Sequence, residues 1–227
     1  MRVVIMGGTS GIGLATARLL AGDGAEVIVT GRDQAKLDSL DPGIAGERVD
    51  GTAPEEVAGL FERTGSFEHL VLAFSQGSEG FGPLRELEPA AVRSAFEGKT
   101  VPYLLAIQRA SVTESITMVS ASSARAAFPG TVALAAANGA IERAVSPLAA
   151  ELAPVRVNAV APGAIDTPWW SFLPEDQRRA QFDAIGASLP AGRVGRPEEV
   201  ADAIRYLIGA SYVTGSILPV DGGFTVA

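Results

Sequence analysis

The sequence contains no cysteine. Disulfides, thiol nucleophiles and cysteine-ligated metals are therefore excluded. It has one histidine, His69, which rules out a histidine-rich metal site as well. No apolar run reaches the roughly 18 residues that a membrane span requires. Positive charge is also scarce: 18 Lys and Arg stand against 26 Asp and Glu, a formal net charge of −8. A nucleic-acid surface needs clustered cations, so this balance argues against one. No basic, apolar leader precedes the first core strand, so a soluble cytoplasmic protein is expected.

What is present is apolar bulk in one block. Hydrophobic residues fill 47% of 227 positions, and no repeat, linker or low-complexity stretch divides them. That is enough for the core of one sizeable α/β domain. The apolar run Val3-Val4-Ile5-Met6 reads as a buried parallel strand, and Leu14 to Leu20 as the helix that follows. Between them lies Gly7-Gly8-Thr9-Ser10-Gly11-Ile12-Gly13. Glycines there let the backbone turn tightly and approach a pyrophosphate, whose charge the helix N-terminus stabilises. The strand before and the helix after supply the context this motif requires, so the stretch reads as a dinucleotide site. The plainer alternative is a tight turn without a ligand.

The second strand, Glu26 to Thr30, leads into Gly31-Arg32-Asp33. An acid at this strand end selects NAD through the ribose 2′-hydroxyl, whereas an arginine accepts the 2′-phosphate of NADP. Arg32, helped by the hydroxyls of Thr9 and Ser10, therefore points to NADP(H); Asp33, one residue late for the usual NAD position, is the competing acid. A third strand is expected to end at Val49-Asp50. Thr52-Ala53-Pro54-Glu55 has capping-box spacing, and His69 to Phe74 is expected as the fourth strand, with His69 at its exposed start. Pro89 to Ala110 and Val132 to Leu152 read as helices, Ser115 to Ser120 and Arg156 to Ala161 as strands. Pro162 to Pro190 is long for a connection and is expected to carry one small helix in a lid at about 163–190. Pro197 opens a last helix, and Ser216 to Val220 is the last strand.

With these residues in view, the chain resembles the short-chain dehydrogenase/reductase family along almost its whole length. Gly7, Gly11 and Gly13 match the family's glycine turn, and Asp50 and Gly51 fall where it contacts adenine. Glu151 to Gly163 looks like its long signature, and Ile165 and Thr167 complete the pattern at the nicotinamide carboxamide. Gly192-Arg193, Pro197 to Val200, Thr214-Gly215 and Val220 to Gly223 match its C-terminal third. The resemblance implies a Rossmann-type, doubly wound, seven-stranded parallel sheet in a single domain. It also implies NADP(H) binding, with Gly7, Thr9, Ser10, Gly11, Ile12, Gly13, Arg32, Asp50, Gly51, Ala73, Phe74, Asn138, Pro162, Gly163, Ile165 and Thr167 at the cofactor. A homo-oligomer, dimer or tetramer, is implied too, and the alanine-rich helix from Val132 accords with helix pairing between subunits.

The departures from the family pattern are specific. Its active-site tyrosine falls on Leu134, the lysine four residues later on Asn138, and its serine on Ala121. Its helix-borne asparagine falls on Lys99, and its asparagine-rich turn is replaced by Leu72-Ala73-Phe74-Ser75. Leu134 cannot exchange a proton. Lysine and asparagine look exchanged, so Lys99 is the candidate catalytic residue, with Ser120 and Ser122 as hydroxyls for a substrate oxygen; the alternative is a surface lysine and two strand-end serines. Tyr103, one turn from Lys99, reads as core before catalyst, and Arg125 is a weaker candidate for an anionic substrate. Trp169 and Trp170 read as lid residues able to wall an apolar pocket, and Asp166 and Asp183 as solvated. Three functions compete: an NADP-dependent oxidoreductase of altered mechanism acting on a small carbonyl or alcohol, a non-redox lyase, isomerase or cyclase, and a cofactor-binding sensor. Fold alone does not choose among them.

Overall fold

The computed structural model describes residues 1–75 and 77–226. Seven strands, β1 (Arg2–Met6), β2 (Glu26–Gly31), β3 (Ile44–Arg48), β4 (Ser66–Leu72), β5 (Ser111–Val119), β6 (Arg156–Pro162) and β7 (Ile217–Val220), form one sheet. Their order is β3-β2-β1-β4-β5-β6-β7, and every neighbouring pair runs parallel. Parallel pairing requires crossovers, and among the described residues eight α-helices supply and flank them: α1 (Gly11–Gly22), α2 (Gln34–Asp38), α3 (Pro54–Thr64), α4 (Pro89–Ala95), α5 (Val101–Arg109), α6 (Val132–Glu151), α7 (Glu175–Ser188) and α8 (Pro197–Gly209).

A sheet covered on both faces needs strands that are apolar throughout, not alternating. β1 meets this need, with Val3, Val4, Ile5 and Met6 all fully buried. Successive side chains point to opposite faces. Val4 and Met6 join Leu60, Tyr103 and Ile141 on one side. Val3 and Ile5 join Ala17, Leu20, Val200 and Ile204 on the other. The strand order reverses between β1 and β4, and at such a switch point a crevice opens at the carboxyl ends of the strands.

Several local expectations are corrected. α3 starts at Pro54 with Ala53 as N-cap, and Thr52 forms no capping box with Glu55. The Thr52 hydroxyl and amide instead donate to the Asp50 carboxylate at 2.8 and 2.9 Å, which draws them away from the helix. The segment after β6 carries two helical pieces rather than one, a 3₁₀ turn at Pro168–Phe172 and α7. The helix expected over Pro89 to Ala110 is divided by a π turn at Phe96–Thr100. α6 continues through Pro147 to Glu151.

β4 begins at Ser66, so His69 sits inside the strand and not at an exposed start. It is 3% exposed and opposite Ser115 of β5, whose Oγ lies 2.8 Å from its Nδ1. The cross-strand hydroxyl is what allows a polar ring there. Burial first, opposed by Glu114, holds the imidazole below its ordinary pKa. The folded state therefore favours neutral His69. Its contribution to stability is complete above the unfolded value of about 6.5 and is lost as pH falls from there through the lower folded value. In urea titrations, wild type is expected to lose stability between about pH 6.5 and 5 more steeply than His69→Gln. Identical pH slopes would show that His69 titrates freely in the fold.

Candidate active site

The crevice at the switch point is a cleft of about 590 Å³. Its floor is the turn between β1 and α1. Gly7 has φ of +86°, and a Cβ on it would lie 2.6 Å from that of Phe74. Gly13 does not line the cleft. A Cβ there would lie 2.1 Å from the Gly7 carbonyl oxygen, so its part is to let α1 pack directly against the turn. Thr9, Ser10, Gly11 and Ile12 do line it, and Ser10 caps α1 without a side-chain hydrogen bond. The first amides of α1 thus face the cleft with no side-chain acceptor from their own cap.

One end of the cleft is polar. Arg32, Asp33, Lys36, Asp50, Gly51 and Thr52 line it. Asp33 is the N-cap of α2, where its Oδ1 accepts from the amides of Ala35 at 3.0 Å and Lys36 at 3.4 Å. The acid that competes with Arg32 is thereby engaged in capping. Lys36, absent from the expected site, adds a second cation to this end. Burial acts to raise the Asp50 carboxyl, but the Thr52 amide and hydroxyl, with Arg32 and Arg48 nearby, bring it below the ordinary carboxylate value. Ala73 and Phe74 border the middle of the cleft just after β4, and Pro162 at the end of β6 borders it with Gly163, Ile165 and Thr167 from the segment that follows.

Lys99 stands at the centre, on the π turn between α4 and α5. Pro102 has no amide hydrogen to give the Gly98 carbonyl, and its ring crowds that position. The helix widens there, so that the Val101 amide bonds to the Phe96 carbonyl five residues back. Lys99 Nζ donates to Asn138 Oδ1 at 2.7 Å and to the Ser120 carbonyl at 3.2 Å. An ammonium group only donates, which fixes the Asn138 amide orientation; its Nδ2 then donates to the Leu134 carbonyl at 2.8 Å. Thr100 Oγ1 donates to the Ala137 carbonyl at 2.9 Å and ties the same turn to α6. Lys99 is half-buried as a residue, and burial of its ammonium pushes it down to about 7.

The two serines differ. Ser122 lines the cleft in the 3₁₀ turn after β5, as expected. Ser120 also lines it, but its hydroxyl, expected to meet a substrate oxygen, donates instead to Glu142 Oε1 at 2.9 Å. Glu142, like Lys36, was missed by sequence reasoning. It is 8% exposed and also pairs with Arg125, Nε to Oε2 at 3.0 Å, so Arg125 is engaged away from any anionic substrate. The available signal was an acid four residues after Asn138 on the inner side of an alanine-rich helix. Tyr103 is fully buried, its hydroxyl donating to the Phe74 carbonyl at 3.1 Å, and burial raises its pKa. It belongs to the core, as expected. Trp169 and Trp170 line the cleft, with Trp169 Nε1 donating to the Gly77 carbonyl and Trp170 Nε1 to the Ile165 carbonyl. Asp166 and Asp183 are exposed.

Replacing Glu142 by alanine removes the charged acceptor of Ser120 and the partner of Arg125. A hydrogen bond to a buried charged group is worth about 1.5–3 kcal/mol, and the part-exposed Arg125 adds little. We expect Glu142→Ala to lower the free energy of unfolding in urea by about that amount and Glu142→Gln by less. Wild-type stability in Glu142→Ala would show that the network is incidental.

The chain and its fold are similar to those of known proteins. Residues 7–225 match the model of a family described as enoyl-(acyl carrier protein) reductase. The chain is similar to a cis-4-hydroxycyclohexanecarboxylate dehydrogenase of Sinomonas cyclohexanicum, 38% identical over 98% of this chain and 95% of the relative. It is also similar to a short-chain dehydrogenase/reductase of Stachybotrys chlorohalonatus, 31% identical over 97% of this chain and 95% of the relative. Among solved structures, a small-chain dehydrogenase in complex with NADPH superposes with a TM-score of 0.85 at 30% identity, over 100% of this chain and 99% of that one.

Proposed function

Because this chain belongs to the short-chain dehydrogenase/reductase family and is an oxidoreductase of that type, we propose that it uses NADP(H) to interconvert a small carbonyl compound and its alcohol, with Lys99 as the proton donor and acceptor. The observation that carries this reading is the lysine ammonium at the centre of the cleft, held by Asn138 and the Ser120 carbonyl. On this reading Leu134, Asn138 and Ala121 occupy the positions of the family's usual tyrosine, lysine and serine, and Lys99 replaces their acid–base function.

The residues fit a dinucleotide. The side-chain-free surface at Gly7 and Gly11 and the first amides of α1 suit a pyrophosphate. Asp50 and Gly51 would border the adenine, and Ala73, Phe74, Pro162, Gly163, Ile165 and Thr167 the remainder. Arg32, with Thr9, Ser10 and Lys36, would hold a ribose 2′-phosphate. When bound, this cofactor supplies or accepts the hydride. In reduction, the Lys99 ammonium gives a proton from Nζ to the substrate oxygen as its carbon is reduced, and the amine then regains a proton from solvent. In oxidation, the neutral amine takes the hydroxyl proton. A group that titrates near 7 serves both directions at neutral pH. Ser122 orients the substrate oxygen. Asn138 positions Lys99 and would also meet the nicotinamide ribose.

The working unit on this reading is a single domain with a lid at about 163–190. Val101 and Leu104 on α5 and Val132 and Ala136 on α6 expose apolar faces, which supports a homo-oligomer. No helix among the described residues is long and apolar enough to cross a membrane.

Two measurements test the reading. Arg32→Ala should reduce NADPH affinity about ten- to hundredfold and leave NADH nearly unchanged, the size of a charge-assisted phosphate contact. Equal wild-type affinities for the two cofactors would overturn the NADP assignment. Lys99→Met should reduce carbonyl reduction by about 10²–10⁴-fold, with NADPH affinity within a few-fold of wild type. In wild type, kcat/KM for reduction should fall as pH rises above about 7, because the ammonium is the acid, and the alcohol reaction should fall below it. Normal turnover in Lys99→Met would remove Lys99 from the chemistry.

A further inference from the structure

The two ends of the cleft differ in charge. Arg32, Asp33, Lys36 and Asp50 all lie at the end near β2 and β3. Beyond Lys99, the opposite end is walled by Phe81, Phe128, Leu134, Trp169, Ile185 and Phe224. Among the described residues, no Asp, Glu, Arg or His lines that chamber. The nearest candidate cation, Arg125, is outside the lining and neutralised by Glu142.

The rings hold one another in place. Trp169 stands edge-on to Phe81, Trp170 and Phe172, at centroid distances of 6.4, 4.9 and 5.4 Å. Its indole nitrogen is tied to the Gly77 carbonyl at 3.2 Å. Phe128 and Phe224 pair at 5.9 Å. Phe81 and Trp169 come from different segments, the loop after β4 and the 3₁₀ turn after β6, so the chamber wall is assembled across the fold. Fixed aromatic surfaces favour ligands that are themselves flat and rigid, because such ligands match ring edges and faces without losing rotamer freedom. A carboxylate or phosphate placed there would be desolvated with no cationic partner but Lys99, which the reaction itself occupies.

We propose that the substrate is an uncharged ketone or secondary alcohol whose reacting carbon lies next to an aromatic or alicyclic ring. This rests on the oxidoreductase reading above and makes its substrate class specific. It distinguishes the chain from the Sinomonas relative, whose named substrate carries a ring carboxylate.

The protein supplies its own probe, since both of its tryptophans, Trp169 and Trp170, line the cleft. Acetophenone, 4-acetylbenzoate and 2-octanone are compared in two ways, by quenching of tryptophan emission in the cofactor-free protein and by NADPH consumption. Acetophenone is expected to exceed both others in affinity and in kcat/KM by about tenfold or more, the penalty for an unpartnered charge or a lost ring contact. Phe81→Ala should erase most of its advantage over 2-octanone while leaving NADPH binding unchanged. Equal or better binding and turnover of 4-acetylbenzoate would overturn the proposal, and NADPH consumption with it would leave the oxidoreductase reading standing. Selective binding of acetophenone with no NADPH consumption from any of the three would support the ring chamber and overturn the redox reading. No quenching by any of them would overturn the chamber.

Discussion

An ammonium group drawn out of water must find acceptors, and the centre of this molecule is arranged around that requirement. Lys99 meets it with one side-chain amide and one main-chain carbonyl, supplied by α6 and the end of β5. Those bonds pin the π turn to two other elements at once. They also leave the charge only partly compensated, because both acceptors are neutral dipoles. The compensation is enough to keep the group enclosed and too weak to keep its pKa at the ordinary lysine value. A carboxylate partner would have fixed the proton more firmly. Glu142, the nearest buried acid, is instead turned to Ser120 and Arg125, one layer further out.

The sheet makes this arrangement possible. Its central strands are largely apolar on both faces, so packing sets their positions, and the polar groups that line the cleft lie at the strand ends. The turn after β1, the residues after β4, Ser120 after β5 and Pro162 at the end of β6 all emerge on the same edge. The reversal of strand order between β1 and β4 parts the crossovers there, and the resulting cleft is polar at one end, aromatic at the other and occupied by Lys99 at its centre. Close approach at the floor depends on glycine. Any side chain at position 13 would collide with the Gly7 carbonyl, and the helix would have to leave the turn.

Much of this was legible in the sequence wherever a signal was local. The run Val3 to Met6 followed by the glycine turn identifies β1 to within a residue and the start of α1 to within one helical turn, because strand burial, turn and helix are each encoded within a few positions. The regions that failed depend on distant partners. His69 looks like a strand start from its polar neighbours and becomes interior only through Ser115, 46 residues away. Thr52 has the spacing of a helix cap, but Asp50, two residues earlier, captures its hydroxyl first. The π turn was readable in principle from Pro102, whose missing amide is a sequence fact; its consequence, placing Lys99 towards α6, depends on how the helix yields. Glu142 could not be assigned from pattern alone, because an acid on a helix is ordinarily solvated and only Ser120 and Arg125 explain this one.

On the proposed reading, the exchange of lysine and asparagine has a further physical consequence. An ammonium-to-amide hydrogen bond joins the π turn to α6 in this chain. The aliphatic stem, however, now leaves the π turn rather than α6. Asn138 is short, and its Nδ2 folds back to the Leu134 carbonyl one turn earlier. That bond occupies the backbone at position 134 and leaves its side chain free of any polar duty. Leucine can then serve as wall, beside Phe81 and Trp169, where a phenol would have introduced a hydroxyl in need of a partner. Leu134 then adds apolar wall on the α6 side of the cleft, while burial of the Lys99 ammonium, held by the neutral acceptors Asn138 and Ser120, keeps its pKa below the ordinary lysine value.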